Sequence, residues 1–276
     1  YSFFGTSLTS FDLQPSVQII KEGAFKDVAT MTTFEVPANS ALTEIGVYAL
    51  YKTNVGSFHF QNALSLKSIG AYSFSYAPNL GSVTLPESVD NLGICAFCGS
   101  AVYFLTIPPL SQLQSISPYA FGSNRIKTVS IPRGVKILGD YAFYDCKNLQ
   151  IVDFTGDSQL QSIGQRVFQL STSLLMMRIP VPVTSIGSKA YSGCTSFSTI
   201  MINCASIMTI SADAFTSSAM TTIALPSTVT YGGPVPRTII PSCNAPSLAP
   251  TLSVAPSVAP SAQPSLTPSR VPTVVP

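Results

Sequence analysis

Apolar positions in the body of the chain return in a fixed phrase. It runs as an aliphatic, two variable residues, an aliphatic, usually glycine, two more residues, then a small residue and an aromatic. The phrase reads LTEIGVYAL at 42–50, LKSIGAYSF at 66–74 and VKILGDYAF at 135–143. Nine copies place their central aliphatics at Ile20, Ile45, Ile69, Leu92, Ile116, Leu138, Ile163, Ile186 and Ile210, in steps of 22 to 25 residues. A period this narrow marks a repeat architecture, in which a unit buries its apolar face only against its neighbours. Each copy runs into a second phrase, such as NLGSVTLP at 79–86 or IKTVSIP at 126–132, where apolar and small polar residues alternate. Alternation predicts a strand with one buried face, and the following proline removes a ladder donor and ends it. The glycine of the first phrase is read as permission for a tight bend.

The predicted fold is mainly β: a parallel-stranded solenoid of about 24-residue repeats, equivalent strands pairing roughly 4.8 Å apart. The recurring Phe and Ile are assigned to internal ladders, not to a ligand box. The outward positions between the buried aliphatics, among them Thr84, Ser130 and Arg178, then form the candidate binding face. Residues 1–3 repeat Tyr72-Ser73-Phe74, so the chain is expected to begin inside a repeat with an uncapped face, as a processed product or fragment. At the other end VTYGGPVP at 229–236 starts a further copy, and its glycines and prolines are expected to terminate the stack.

Composition sharpens this picture in one respect. Only 9% of residues are charged and the formal charge is +2, against about 25% charged in an ordinary domain. That excludes a basic patch for nucleic acid or an anionic membrane. At 46% hydrophobic, the chain has ample material for a core, and no uncharged apolar run nears the ~20 residues of a membrane span. No P-loop, G-x-S-x-G, H-E-x-x-H or paired-carboxylate pattern occurs, so an enzyme is not expected. No cofactor is implied. Asp153 and Asp157 are read as solvated, and His59, between Phe58 and Phe60, as an outward strand position.

The two phrases together, I-G-x-x-A-F followed by L-x-x-V-x-I-P, resemble the BspA-like (Treponema-type) leucine-rich repeat, over roughly residues 1–226. The resemblance implies an extracellular or surface-displayed protein acting in adhesion or recognition without catalysis. Leu50 and Tyr191 depart from its aromatic, and Ser117 and Ser211 from its glycine. The family often carries Gly-Cys after the aromatic; Cys194 keeps it and Cys146 holds the equivalent slot. The likeness implies that both are buried free thiols.

Six cysteines are too few for a disulfide scaffold. Cys95 and Cys98 form a CxxC, but no second pair follows and His59 is the sole histidine, so no metal site is expected. Cys204 and Cys243 flank the final repeat and are the candidate disulfide, which suits an oxidising compartment.

The sequence divides at 243/244, into a solenoid over 1–243 and a Pro/Ser/Thr-rich tail over 244–276. From Pro256 the prolines fall at Pro260, Pro264, Pro268, Pro272 and Pro276, a period of four. Such density favours polyproline II. The residues after the tail's prolines are hydroxylic, making Ser247, Thr251, Ser257, Ser261, Ser265, Ser269 and Thr273 candidate O-glycosylation sites. Pro256, Pro260, Pro264, Pro268 and Pro272 are candidate hydroxyprolines, since the pattern resembles the Pro/Ser stalks of algal and plant cell-wall glycoproteins; a bare linker is the alternative. Two functions stay open: recognition of protein or glycan surface ligands by a stalk-borne module, and self-association into an extracellular fibre.

Overall fold

A computed structural model describes residues 2–203, 206, 208–220, 222–223, 229–232 and 238–239. The tail, with every candidate glycosylation and hydroxyproline position, lies outside the described residues. So do Cys204 and Cys243.

Both phrases become strands, and every paired strand is parallel to its equivalent in the next repeat. The first phrase gives a ladder of very short strands, from Ile19–Ile20 and Glu44–Ile45 through Ser115–Ile116 to Met208–Ile210. The central aliphatics are partners within it: Ile20 with Ile45, Ile45 with Ile69, Ile69 with Leu92, and onward from Ile116 to Ile210. The second phrase gives the longer strands, among them Ser10–Asp12, Ser82–Thr84, Thr128–Ile131 and Met176–Ile179. Their burial alternates as expected, with Val83, Val129, Ile131, Met177 and Ile179 inside.

A third hydrogen-bonded wall joins the repeats where the sequence showed only a bend. After Gly46 the amides of Tyr48, Leu50 and Lys52 donate to Ala71, Ser73 and Ser75 of the next repeat, at 2.9, 2.8 and 2.9 Å. The intervening amides of Ala49, Tyr51 and Thr53 close i−3 turns within their own repeat. This alternation requires left-handed residues at two places per turn. Tyr48, Tyr72, Cys95, Tyr119 and Tyr141 fill the first, and Lys52, Tyr76, Gly99, Ser123 and Asp145 the second, all with φ between 55° and 66°. An L-residue pays roughly 1–2 kcal/mol for that conformation, and the inter-repeat bonds offset it.

The glycine of the first phrase therefore has a different role from the one expected. Gly46, Gly70, Gly93, Gly139, Gly164 and Gly187 are not left-handed. A Cβ on Gly93 would lie 2.3 Å from the Ala71 amide nitrogen, and one on Gly70 2.6 Å from the Gly46 carbonyl carbon. Glycine is needed because successive backbones approach too closely for a side chain. Where serine replaces it at Ser117, the short-strand ladder breaks between Leu92 and Ile116, whereas the Ser211 amide still reaches the Ile186 carbonyl at 3.0 Å, within the 2.7 to 3.1 Å of the glycines in this register.

Inside, Phe74, Phe97, Phe121, Phe143, Phe168 and Tyr191 stack with centroid spacings of 5.1 to 5.8 Å. Leu50 supplies no ring. Phe34 and Phe58 bridge that gap from the opposite wall, linking Phe25 (5.2 Å) to Phe74 (5.1 Å). This corrects the reading of His59. Phe60–Asn62 is a short 3-10 turn with His59 at its start, and both flanking rings are buried. His59 is half-exposed, its Nδ1 3.0 Å from Glu35 Oε2.

The expected terminator at 229–236 does not stop the stack. Val229–Tyr231 pairs with Met208–Ile210, and Thr238–Ile239 with Thr222–Ile223. Backbone pairing needs only an extended segment in register.

Candidate functional site

Two surfaces of the solenoid present chemistry, one on the long strands and one on the turns. On the long strands Thr84, Ser130 and Arg178 are exposed, each between buried aliphatics. Their register partners are Thr106, Asp153 and Met201. Thr84, Ser130 and Arg178 sit two repeats apart from one another, roughly 10 Å per step, so they form a line and not a cluster. Asp153 belongs to this line and is exposed, as is Asp157 in the loop that follows.

The turn surface is aromatic. Left-handed φ at the first turn position directs a half-buried tyrosine outward in several repeats. Tyr48 stacks on Tyr72 at 5.0 Å and Tyr119 on Tyr141 at 4.3 Å. Tyr51 packs edge-on to Tyr48 and Tyr76, and Tyr144 edge-on to Tyr119 and Tyr141. Cations close the outer ends: Lys26 Nζ is 5.0 Å from the Tyr48 centroid, and the Arg166 guanidinium 5.3 Å from that of Tyr141. Arg166 also donates to the Tyr141 hydroxyl.

Between the two stacks lies a cleft of about 300 Å³ walled by Tyr72, Tyr76, Tyr119 and Tyr144. Its floor is Cys95, Cys98, Gly99, Gly122 and Ser123. Cys95 occupies the tyrosine register, and it is bonded to Cys98 in a disulfide with a Cα separation of 4.8 Å. Position in the sequence points to Cys204 and Cys243 as the candidate disulfide; the one described is the CxxC. Tight turn geometry brings the two sulfurs together, since Cys95 is left-handed and the Cys98 amide bonds back to the Cys95 carbonyl. Burial first, then hydrogen bonding with Tyr141, raises the Tyr119 hydroxyl above its ordinary pKa. The phenol therefore stays neutral at physiological pH.

Comparison with known proteins fits this architecture. The profile of the BspA type leucine rich repeat region matches residues 1–124 and 114–234. The chain belongs to the BspA-type leucine-rich repeat family. Among solved structures, a leucine-rich repeat protein from Eubacterium ventriosum has a TM-score of 0.55 at 16% identity, covering 88% of this chain and 80% of its own. A leucine rich cell surface protein from Faecalibacterium prausnitzii scores 0.50 at 20% identity, covering 83% and 80%. Both share the fold. None of the curated proteins matches the chain by sequence.

In this BspA-type solenoid the cysteines that follow the aromatic have a defined structural role. Cys146 and Cys194 are buried and free. Each thiol donates to the carbonyl of the aromatic one repeat back, Cys146 to Phe121 at 3.2 Å and Cys194 to Phe168 at 2.9 Å. Burial pushes both up to about 12, so neither is a nucleophile or metal ligand at neutral pH. Among the described residues no group of three His, Cys, Asp or Glu could hold a metal ion, and no helix is long and apolar enough to cross a membrane.

Sequence reasoning missed the tyrosine cleft. Its signal is present: tyrosine recurs before the small residue in GVYAL, GAYSF, SPYAF and GDYAF, and cysteine replaces it in GICAF. Those positions pass as variable when only the aliphatic and the final aromatic define the phrase.

Proposed function

We propose that the chain is a non-enzymatic extracellular or cell-surface recognition module. It binds protein or glycan ligands along the solvent face of its long strands and is carried on an O-glycosylated polyproline stalk. One observation carries the reading. Ser130 and Arg178 hold one exposed register of a four-stranded parallel sheet, and Thr84 the matching position of the two-stranded sheet before it, the kind of extended surface that repeat proteins use for binding. Family membership supports it, because leucine-rich repeat solenoids are typically non-enzymatic and bind proteins. The description of the Faecalibacterium relative as a cell surface protein supports the location.

The test is binding of labelled chain to protein and glycan arrays. Arg178→Glu with Ser130→Tyr should weaken any specific signal about tenfold or more, with unchanged unfolding. Variants that bind like the wild type would remove this face from the reading. Intact mass tests the stalk, since an unmodified 29.2 kDa excludes the sugars.

Low charge favours a second reading, a protomer of an extracellular fibre. With 9% charged residues, little self-repulsion opposes association. Electron microscopy separates the two: regular filaments support the fibre, and dispersed particles support the recognition module.

A further inference from the structure

Successive repeats place Tyr48, Tyr72, Cys95, Tyr119, Tyr141 and Arg166 in one register on the turn face. The ring column is thus continuous except at Cys95. Each stack already carries a cation on its outer end, Lys26 at Tyr48 and Arg166 at Tyr141. The inner rings, Tyr72 and Tyr119, wall the cleft, and no cation is among its lining residues.

The spacing suits one. Two rungs separate Tyr72 from Tyr119, roughly 9–10 Å at the usual strand spacing. A cation midway would sit about 4.8 Å from each ring centre, inside the roughly 6 Å reach of a cation–π contact. The chain's own cations stand at 5.0 and 5.3 Å, which is nearly the same distance. No lining residue carries a formal charge at neutral pH. The negative ring faces then set the local preference, against anions and toward cations. Lys26 and Arg166 each lie beyond a second ring, nearly two Debye lengths (about 8 Å each) away at physiological salt, so their repulsion is largely screened.

We propose that this slot takes an arginine side chain of a partner protein, its guanidinium held between Tyr72 and Tyr119. Arginine is preferred over lysine because its planar, weakly hydrated head presents a face to each ring and keeps donors at its edge. Arg166 shows the same combination on Tyr141, ring contact plus a hydrogen bond to the hydroxyl. The inference rests on the protein-recognition reading and adds the chemistry of the partner. It also accounts for the cysteine at this rung, because Cys95, bonded to Cys98, carries no ring where the column stays open.

The experiment titrates the full chain, carrying ¹³C-labelled tyrosine, with N-acetyl-arginine amide and with the neutral isostere N-acetyl-citrulline amide, followed by NMR. The arginine derivative should shift the Tyr72 and Tyr119 ring signals saturably, and the citrulline derivative should not. Cys95→Tyr with Cys98→Ser completes the column and should abolish the response, while Tyr48→Ala should preserve it. If the filled variant does not fold, Tyr119→Leu serves instead, with affinity expected to fall about tenfold. Equal response to both derivatives, no saturable response, or an unchanged response in the filled variant overturns the proposal. The probe is a single amino-acid derivative, so failure here leaves the array test standing. Success here with no array signal would sink the recognition reading alone.

Discussion

The Cys194 thiol donates to the carbonyl oxygen of Phe168 across 2.9 Å of buried interior. The same bond recurs with other donors: Ser171 to Phe143 at 3.0 Å, Asn124 to Phe97 at 2.7 Å and Cys146 to Phe121 at 3.2 Å. Each adds a side-chain donor to a carbonyl of the ring column, and the Phe168 and Phe97 carbonyls also accept from the Ser171 and Ser100 amides, at 3.0 and 3.4 Å. The slot requires a donor, not a thiol. Cys194→Ser keeps a donor and should cost less than Cys194→Ala, which leaves the Phe168 carbonyl with the Ser171 amide alone and should lose about 0.5–1.5 kcal/mol. Urea unfolding of both variants checks this, and equal loss in the two would reject the donor role.

Both buried thiols also set a pH dependence. Their folded values are pushed up to about 12, above the ordinary thiol value near 8.5. A group raised on folding contributes fully below its unfolded pKa and loses that contribution as pH rises through the folded one. Stability should thus fall between about pH 8.5 and 12, each thiol adding roughly 1.4 kcal/mol per pH unit to the slope. Tyr191, raised by burial, acts with the same sign above its ordinary value. Cys146→Ser with Cys194→Ser should flatten the decline; an unchanged slope would assign it elsewhere.

How much of this is legible from residues alone depends on the range of each interaction. The aliphatic register from Ile20 to Ile210 is readable because periodicity alone dictates which side chains stack. So is the burial of Val83 between exposed Ser82 and Thr84, which follows from the pleat. The glycine is misread because its neighbour is the backbone of another repeat, some 24 residues away in sequence. His59 is misread because Phe58 keeps the buried register it shares with Phe34, and the 3-10 turn at Phe60–Asn62 then breaks the alternation and buries Phe60 as well. The tyrosine cleft depends on left-handed positions such as Tyr72 and Cys95, and nothing in side-chain chemistry marks those.

Glycine substitutions separate close approach from conformational freedom. Gly93→Ala puts a methyl carbon 2.3 Å from the Ala71 nitrogen, and rigid stacked backbone must move. A loss of about 3 kcal/mol or more is expected. Gly156 is left-handed at φ 57° with nothing within 4 Å of its Cβ site, so Gly156→Ala should cost only about 1–2 kcal/mol. Denaturant midpoints rank the two, and the reverse order would contradict the close-approach role.

Ser73 offers a stabilising change. Its hydroxyl is fully buried with no hydrogen-bond partner, at the position where Ala96, Ala120, Ala142 and Ala190 stand in other repeats. Ser73→Ala removes the orphaned group at almost constant volume. It should raise stability by about 1 kcal/mol, read as a higher urea midpoint at unchanged slope. A lower midpoint would mean that the hydroxyl has a partner in solution, such as a bound water.

Reduction tests the weight of the Cys95–Cys98 bond. Its two cysteines are three apart in sequence, so it closes a very short loop and removes little entropy from the unfolded chain. The chain-entropy relation gives at most about 2 kcal/mol for a loop of that size. Three inter-repeat bonds hold the same turn without it, from the amides of Cys95, Phe97 and Gly99 to the carbonyls of Pro118, Ala120 and Gly122, at 3.0, 2.9 and 2.9 Å. Reductant should therefore lower the denaturant midpoint modestly and leave a single cooperative transition. Local melting of the turn, seen as hydrogen exchange of those three amides well before global unfolding, would show instead that the disulfide is what holds Cys95 in the tyrosine register.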